Sequence, residues 1–293
     1  MTLALIDIGG TSIKFGLWEQ NTVLHQTAIQ TPKTLEEFYQ VLKKQIQKFQ
    51  AEADVSGVAI SSPGSVDQSA GVIRGASAIP YIHNFKIVEA LEKLLGLPIA
   101  IENDANCAGL AESAFGAAKD HHDSVFIVIG SGIGGAVIAD GKVRHGAHLL
   151  GGEFGYMLES DHDTVSIQAS PVWMANRYNQ HEDPDHPVTG QMLFDNAQHD
   201  PIAKKYLHEM FYALARLIFN LQYSIDPEIF VLGGGVSNND QLLPGIEAAM
   251  DEIMSKVKIA EVRPAIKLCQ FRSEANLVGA AVNYMQTKQQ GRG

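Results

Sequence analysis

The hydrophobic pattern of the chain combines short apolar runs with segments of helical periodicity. An apolar run at residues 3–6 leads into Asp7, a Gly-Gly-Thr turn at 9–11 and a second run that ends at Trp18. Glycines between two apolar runs are typical of a β-hairpin. The residues from Val23 to Ile29 alternate loosely and predict a third strand.

Apolar residues then recur at intervals of three and four from Thr34 to Gln50, which predicts a helix. Thr34 and Glu37 fit a capping box at its start. Strands alternate with helices along the rest of the chain, so the pattern predicts an α/β fold. The predicted strands are 55–61, 98–101, 125–129, 136–139, 229–232 and 266–269, and the predicted helices are 86–96, 105–115, 170–178, 203–224, 242–257 and 275–286.

A second cycle of strand, glycine turn and strand begins near Ser124, about 120 residues after the first. The repeat indicates a duplicated architecture with two similar lobes that face a cleft. We predict an N-terminal lobe at 1–118, completed by a terminal helix at 275–293, and a C-terminal lobe at 119–274.

Composition limits the classes of function. The 293 residues are 45% hydrophobic and carry a formal net charge of −11, which argues against nucleic-acid partners and anionic membranes. Cys107 and Cys269 form no CxxC pair, so neither a disulfide framework nor a cysteine zinc site is predicted. The N-terminus lacks the pattern of a signal peptide, and we expect a cytoplasmic protein without a membrane partner.

Asp7 is the anomaly of the first hairpin, because a carboxylate at a buried strand end is costly unless it is paired. A Mg²⁺ ion beside nucleotide phosphates would pair with it. The backbone amides of Gly9, Gly10 and Thr11 could form the concavity that binds the phosphates. The alternative is an aspartate that caps its own turn.

The second glycine turn, Gly-Ser-Gly-Ile-Gly-Gly at 130–135, lacks the GxGxxG spacing and precedes a strand. We therefore reject a dinucleotide-binding fingerprint, which needs a helix at that point. Amides at Ser131, Gly132 and Gly134 would hold phosphate, or the segment is a plain tight turn.

A run of three glycines follows the predicted strand at 229–232. Bare backbone there would let an adenine ring or a ribose lie flat against the chain, and a flexible strand-to-helix connection is the alternative. The candidate residues are Gly233, Gly234 and Gly235.

Asp104 lies where a predicted strand meets a predicted helix. It is either an N-cap or a general base at the carboxyl end of a strand, where α/β folds place ligands, and both roles can hold together. Phosphoryl transfer to an alcohol uses a carboxylate that accepts the hydroxyl proton, and Asn103 could orient that alcohol. Glu153 and Tyr156 offer an acceptor and a donor between glycines, which suits polyhydroxylated ligands, and a solvated turn is the alternative.

Together these motifs resemble the ROK (repressor, open reading frame, kinase) family of sugar kinases over essentially the whole chain. Six segments carry the resemblance in order: the first phosphate motif, a sugar loop of the form PGxxD, the catalytic segment, the second phosphate motif, a second sugar motif and the adenosine motif. They are residues 7–11, 63–67, 102–106, 130–135, 146–155 and 226–236.

The resemblance implies a two-lobed, actin-like and ribonuclease-H-like α/β fold with ATP and a sugar in the cleft. It implies that Asp104 deprotonates the sugar hydroxyl, usually at C6, and that Gly64, Asn103 and Glu153 contact the sugar. Asp7 would handle the phosphates bound to Mg²⁺, with help from Lys14. A homodimer is expected because related kinases form one.

Three departures from the family pattern bear on the sugar. Tyr156 replaces a histidine that meets both sugar and zinc, and Gln168 lies where a sugar-contacting glutamate is expected, in a stretch that lacks the family's cysteines. Ala78 replaces a frequent asparagine. The resemblance therefore implies no structural zinc, and a glucoside or disaccharide such as a β-glucoside becomes a candidate substrate.

We accordingly predict an ATP-dependent kinase of the glucokinase or β-glucoside kinase type that phosphorylates O6 of a hexose or glucoside. An N-acylmannosamine kinase and a fructokinase are the alternatives within the family. A sugar-responsive repressor would need a DNA-binding segment before Asp7, where only six residues precede it. The Glu153 loop argues against an actin-like filament or an acetate-type kinase.

Overall fold

A computed structural model describes residues 1–182 and 185–290. The internal contacts divide the chain into two units. The first unit contains residues 1–115, 145–150 and the chain from 273 onward, and the second contains 116–144 and 151–272. The segment 145–150, which the sequence interpretation included in 119–274, thus belongs to the first unit. The last three residues of the predicted 275–293 helix lie outside the described residues.

The elements follow the alternation that the sequence predicts. The strands are β1 (Thr2–Ile8), β2 (Ser12–Glu19), β3 (Thr22–Gln30), β4 (Val55–Ser62), β5 (Ser65–Asp67), β6 (Val72–Arg74), β7 (Ile99–Asn103), β8 (Ser124–Ile129), β9 (Ile133–Ala139), β10 (Lys142–Val143), β11 (Ile229–Gly233) and β12 (Ile266–Leu268). The helices are α1 (Leu35–Glu52), α2 (Ile87–Leu95), α3 (Asp104–Phe115), α4 (Val165–Ala169), α5 (Pro171–His181), α6 (Gly190–Asn196), α7 (Pro201–Ile225), α8 (Leu242–Lys256) and α9 (Ala275–Gln290).

The sheet of the first unit has the order β3-β2-β1-β4-β7. The first three strands are antiparallel, and β4 and β7 run parallel to β1. In this register Asp7 pairs with Lys14 on one side and Ser61 on the other, and Ser61 pairs with Glu102. One row of the sheet is therefore polar at the carboxyl ends of its parallel strands, where α/β proteins bind ligands.

The second sheet repeats this arrangement with the order β10-β9-β8-β11-β12. Its β8, β9 and β10 are antiparallel, and β11 and β12 run parallel to β8 and to each other. The duplication read from the two glycine turns is thus present in the topology. β9 begins at Ile133 rather than at the predicted Ala136, because Gly134 and Gly135 pair with β8.

Each unit has its own apolar core, to which the periodic faces of its helices contribute. Thr34 caps α1 by accepting from the backbone N of Glu37 at 3.2 Å. The Glu37 carboxylate accepts from the backbone N of Lys33 instead of Thr34, so half of the predicted capping box forms. No helix in the described ranges has both the length and the apolar character needed to cross a membrane.

In the first unit α3 packs against α9, which in turn lies on β1, β4 and β7. The two helices approach closely at Gly279, where a Cβ would overlap the backbone carbonyl of Cys107. This contact sets α9 beside the polar row of the sheet, and so brings Asn276 to Asp7.

Candidate active site

Asp7 is buried near the end of β1, and three side chains from other elements engage its carboxylate. Oδ1 accepts hydrogen bonds from Oγ of Ser61 at 2.9 Å and from Nδ2 of Asn276 at 3.0 Å. Oδ2 lies 3.6 Å from Nζ of Lys14. These partners belong to β4, α9 and β2, so the interpretation of Asp7 as a cap of its own turn is wrong.

The turn between β1 and β2 is held from within. The backbone N of Gly9 donates to the carbonyl of Ser12 at 3.0 Å. A Cβ at Gly10 would lie 3.0 Å from Cβ of Ala78, so the glycine lets the two loops approach closely. Because the Gly9 amide is committed, an anion at this turn would be held by the amides of Gly10 and Thr11.

Asn103 ends β7 and Asp104 begins α3. Oδ1 of Asn103 accepts from the backbone N of Asn106 at 3.1 Å, so Asn103, rather than Asp104, acts as the N-cap. Nδ2 of Asn103 donates to the Gly64 carbonyl at 3.1 Å and to Oδ1 of Asp104 at 3.0 Å. The same Oδ1 accepts from the backbone N of Ala105 at 2.9 Å.

The surroundings of Asp104 make it a stronger base than an exposed aspartate. Burial raises the pKa of its carboxyl group above the usual value, and the charge of Asp7 raises it further. Hydrogen bonds from Ala105 and Asn103 act in the opposite direction. Desolvation disfavours the charged form, so the carboxylate binds a proton more readily and is suited to accept one from a hydroxyl group.

Gly64, whose carbonyl accepts from Asn103, has a left-handed backbone conformation that glycine adopts more easily than other residues. Its φ is +92°, and a Cβ would lie 2.8 Å from Cε1 of His83 and 2.9 Å from Cγ2 of Ile73. The next carboxylate of the sugar loop, Asp67, is held by the guanidinium of Arg74 at 2.7 Å. Asp67 therefore closes the β5–β6 turn.

The second glycine turn, in the second unit, is fixed by two serines that the sequence interpretation did not identify as functional. Oγ of Ser170 donates to the carbonyls of Gly130 and Ser131 at 3.0 and 3.1 Å. Oγ of Ser166 accepts from the backbone N of Ile133 at 3.0 Å. A Cβ at Gly132 would lie 3.2 Å from that Oγ, so the turn packs against the start of α4.

The loop of the second sugar motif packs on the same hairpin. A Cβ at Gly152 would overlap the backbone of Gly135, and one at Gly155 would overlap the Ile133 carbonyl. Glu153 is exposed between these two anchored glycines. Tyr156, three residues further on, is 77% exposed. Both side chains are thus presented on a fixed backbone and are accessible to a ligand.

The three glycines after β11 differ in their surroundings. A Cβ at Gly233 would overlap the ring of Phe126, and one at Gly234 would overlap the backbone of Ile129. Gly235 has open space where its Cβ would be. The first two glycines are therefore explained by packing, and Gly235 has the room that a flat ligand would need.

Gln168, on α4, donates from Nε2 to Oδ2 of Asp163 at 2.6 Å. It lines a cavity of about 400 Å³ together with Tyr212 and Arg216. Over residues 1–182 and 185–290, no group of three or more His, Cys, Asp or Glu side chains is arranged to hold a metal ion.

The first unit thus gathers Asp7, Lys14, Gly64, Asn103 and Asp104 around the polar row of its sheet. The second unit holds the other candidates on its hairpin, its sugar-motif loop, α4 and the end of β11. Ser61 could have been predicted as a partner of Asp7 from the pairing of β1 with β4. No motif near Asn276 in the sequence indicates that its side chain reaches Asp7.

Two sheets of the same strand order, each with a glycine turn in its first hairpin, define the duplicated α/β fold of the actin-like ATPases. The sequence matches the model of the ROK family over residues 3–287, and the chain belongs to that family. The predicted family and fold are therefore confirmed.

Three similar proteins match over nearly their whole length. A β-glucoside kinase of Listeria innocua is 32% identical over 300 residues, which cover 98% of this chain and 98% of the relative. A solved ROK family protein from Streptococcus pneumoniae in complex with sucrose is 38% identical, with a TM-score of 0.90, and the match covers 99% of this chain and 100% of that one. A ROK family glucokinase from Streptomyces griseus, solved with glucose and AMPPNP, is 25% identical with a TM-score of 0.75, over 96% and 98% of the two chains.

Proposed function

We propose that the chain is an ATP-dependent sugar kinase that transfers the γ-phosphoryl group to a hydroxyl of a hexose or glucoside. The observation that carries the proposal is the partly buried Asp104, whose pKa is raised and whose Oδ1 is held by Asn103. Family membership and the similarity to a β-glucoside kinase and a glucokinase support the class of reaction.

In the proposed reaction Asp104 accepts the proton of the sugar hydroxyl. The hydroxyl oxygen forms a bond to the γ-phosphorus as the bond to the β,γ-bridging oxygen breaks, and ADP leaves with that electron pair. The Asn103 amide donates to both Asp104 and the Gly64 carbonyl, so it fixes the base relative to the sugar loop. Positioning and electrostatic stabilisation then lower most of the barrier.

Asp7 fits the Mg²⁺ ion that accompanies ATP. Its carboxylate is buried and its charge raises the pKa of Asp104, so this part of the first unit has negative charge that a divalent cation would neutralise. Carboxylate oxygens are the ligands that Mg²⁺ prefers in proteins. When bound, the ion supplies charge neutralisation at the phosphates, and Lys14 adds positive charge beside it.

The remaining candidates would bind the nucleotide. AMPPNP, an ATP analogue, is present in the Streptomyces griseus glucokinase. We infer that Gly10 and Thr11 contact phosphate in the first unit, and that Gly235 gives the adenosine room. In the second unit the phosphate contacts would come from the amides of the turn, namely Ser131, Gly132 and Gly134.

For the sugar we favour a glucoside or disaccharide phosphorylated at O6. Glu153 and Tyr156 are both accessible, and Ala78 is smaller than the asparagine expected from the family pattern. The Listeria innocua relative is a β-glucoside kinase and the Streptococcus pneumoniae protein is bound to sucrose, so both fit a substrate larger than a hexose.

A coupled assay of ADP release with ATP and Mg²⁺ tests the function. The substrates are glucose, mannose, fructose, N-acetylmannosamine, cellobiose and gentiobiose, and we expect the highest kcat/KM with a β-linked disaccharide. Preference for N-acetylmannosamine or fructose would select an alternative kinase, and no sugar-dependent ADP release would contradict the proposal. The homodimer and the cytoplasmic location stay predictions, and light scattering tests the former.

A further inference from the structure

A second carboxylate, Glu102, lies directly before Asn103 at the end of β7. It is 0% exposed, and both of its oxygens are engaged. Oε1 accepts from the backbone N of Asn103 at 2.7 Å and from Nδ2 of Asn106 at 3.0 Å. Oε2 accepts from Nε2 of Gln68 at 2.6 Å and lies 2.7 Å from Nε2 of His145. A buried carboxylate needs such partners, and a cation among them matters most.

His145 is the partner that can carry a positive charge. The other three donors are a backbone amide and two carboxamides, which are neutral at every working pH. The imidazole is half-buried, and its bond to Glu102 raises its pKa above the usual histidine value. The ring therefore holds a proton more readily than an exposed histidine, and in its protonated form it makes an ion pair with Glu102.

His145 lies where the chain passes from the second unit into the first. It begins the segment 145–150, which belongs to the first unit although the chain on both sides of it belongs to the second. Gly146 and Leu149 in this segment have φ values of +74° and +61°, so the backbone turns sharply within it. The segment includes the first five residues of the second sugar motif, 146–155, which also contains Glu153. The His145–Glu102 pair thus anchors the beginning of that loop sequence to the end of β7.

We propose that His145 is a positioning residue for the phosphoryl transfer, and that it acts through Glu102 to fix the turn that carries Asn103 and Asp104. The inference rests on the proposed function and extends it to a residue that does not contact the reacting atoms. The link from Glu102 to the base has two hydrogen bonds: Asn103 N donates to Oε1 of Glu102, and Asn103 Nδ2 donates to Oδ1 of Asp104.

Loss of His145 leaves the charge of Glu102 buried without its cation. Its Oε2 then keeps the donor from Gln68 but loses the donor from the imidazole, so the carboxylate is held less firmly. Asn103 loses a firm partner for its backbone N, and the base that it orients is held less well. We therefore expect kcat to fall while the KM for ATP is unchanged.

The ion pair has a defined pH range. Because the folded-state pKa of His145 is raised, the pair is complete below the ordinary histidine pKa and is lost as the pH rises through the raised value. The thiol of Cys107 on α3 also interacts with Glu102, and burial raises the pKa of this thiol well above the usual value. The thiol therefore stays protonated while His145 titrates, and kcat should decline on the alkaline side.

Steady-state kinetics from acidic to alkaline pH on His145→Ala and His145→Gln test the proposal. Glutamine keeps a neutral N–H donor for Glu102, and alanine keeps none. His121→Gln is the matched control, because Nδ1 of His121 lies 3.0 Å from a carboxylate oxygen of Glu228 at an exposed position in the second unit. We expect His145→Ala to lower kcat about tenfold, as for a slightly misplaced base. His145→Gln should show at every pH the lowered kcat that the wild type reaches on its alkaline side, above that of His145→Ala, and the control should match the wild type.

Two further measurements separate the outcomes. An NMR titration of the His145 ring reports the ion pair without any catalysis, and its pKa should return toward the ordinary value in Glu102→Gln. Wild-type kcat and an unchanged alkaline decline in a folded His145→Gln would overturn this proposal alone, whatever becomes of the alanine variant. A wild-type protein without sugar-dependent ADP release would overturn the proposed function, and this proposal with it.

Discussion

Replacement of Asp104 by asparagine is the most direct test of the catalytic assignment. Asparagine has nearly the same shape and keeps an oxygen that can accept the bond from the backbone N of Ala105, which reaches Oδ1 at 2.9 Å. Asn103, rather than Asp104, caps α3, so the helix start should persist. The change therefore removes the proton acceptor with little loss of structure.

The expected loss follows from the role of the group. General-base catalysis contributes about 10²- to 10⁴-fold, which is a barrier increase of about 3–5 kcal/mol. The pKa of Asp104 is raised, first by burial and then by the charge of Asp7, which brings the base closer to the working pH. We therefore expect a loss in the upper half of this range. In the wild type, kcat should fall as the pH drops through this raised value.

Asp104→Asn should lower kcat without lowering the stability of the fold. A carboxyl group whose pKa is raised on folding stabilises the fold below its unfolded-state pKa, and this contribution is lost as the pH rises through the folded value. At neutral pH the ionised Asp104 therefore opposes folding, and Asp104→Asn should unfold at a temperature equal to or above that of the wild type.

The assay combines sugar-dependent ADP release, ATP binding by calorimetry and thermal unfolding. Asp54→Asn, a change of the same kind at an exposed position of the first unit, is the control and should behave as the wild type. Retention of more than about a tenth of wild-type kcat in Asp104→Asn would refute general-base catalysis by this residue. Loss of ATP binding, together with a lowered unfolding temperature, would instead make Asp104 a structural residue.

Three further predictions concern packing, a surface pair and the metal. Gly279→Ala should lower the free energy of unfolding in urea by about 1–3 kcal/mol or more, because its Cβ would overlap the carbonyl of Cys107. NMR should find the pKa of Asp67 at about 2, chiefly because Arg74 donates hydrogen bonds to its carboxylate. The ionised pair should therefore be lost only as the pH falls through that value. Arg74→Met should raise the pKa of Asp67 toward the ordinary aspartate value. Asp7→Asn should raise the Mg²⁺ concentration that gives half-maximal ADP release, and an unchanged Mg²⁺ titration would contradict the role of Asp7.

Local patterns predicted most of the elements and the family because those signals lie in contiguous residues. The glycine turns gave the duplication, and periodicity gave helices such as α1 within two residues of their bounds. The partner of a polar side chain is a different matter, since tertiary contacts decide it. Asn276 is 269 residues from Asp7 in the chain, and nothing in its sequence neighbourhood indicates that its amide reaches that carboxylate.

The same limit explains the local errors. Thr34 and Glu37 have the spacing of a capping box, but the glutamate can also accept from Lys33, and the structure uses that donor. Ser166 lies in the stretch where the family's cysteines are missing, and the family pattern gives this serine no role of its own. Its Oγ nevertheless holds the second glycine turn, because α4 folds back onto β9.

Glu102 and Asp104 show why a carboxylate at the end of a strand does not by itself define a base. They lie two residues apart, yet Glu102 is fully buried and receives donors on both oxygens, one of them the ring of His145. The donors from Asn103 and Ala105 both reach a single oxygen of Asp104. A carboxylate that receives donors on both oxygens is less able to take a proton, whereas burial raises the pKa of Asp104 and favours its protonation. This difference in hydrogen bonding, more than position in the motif, is why we propose Asp104 as the base and Glu102 as its support.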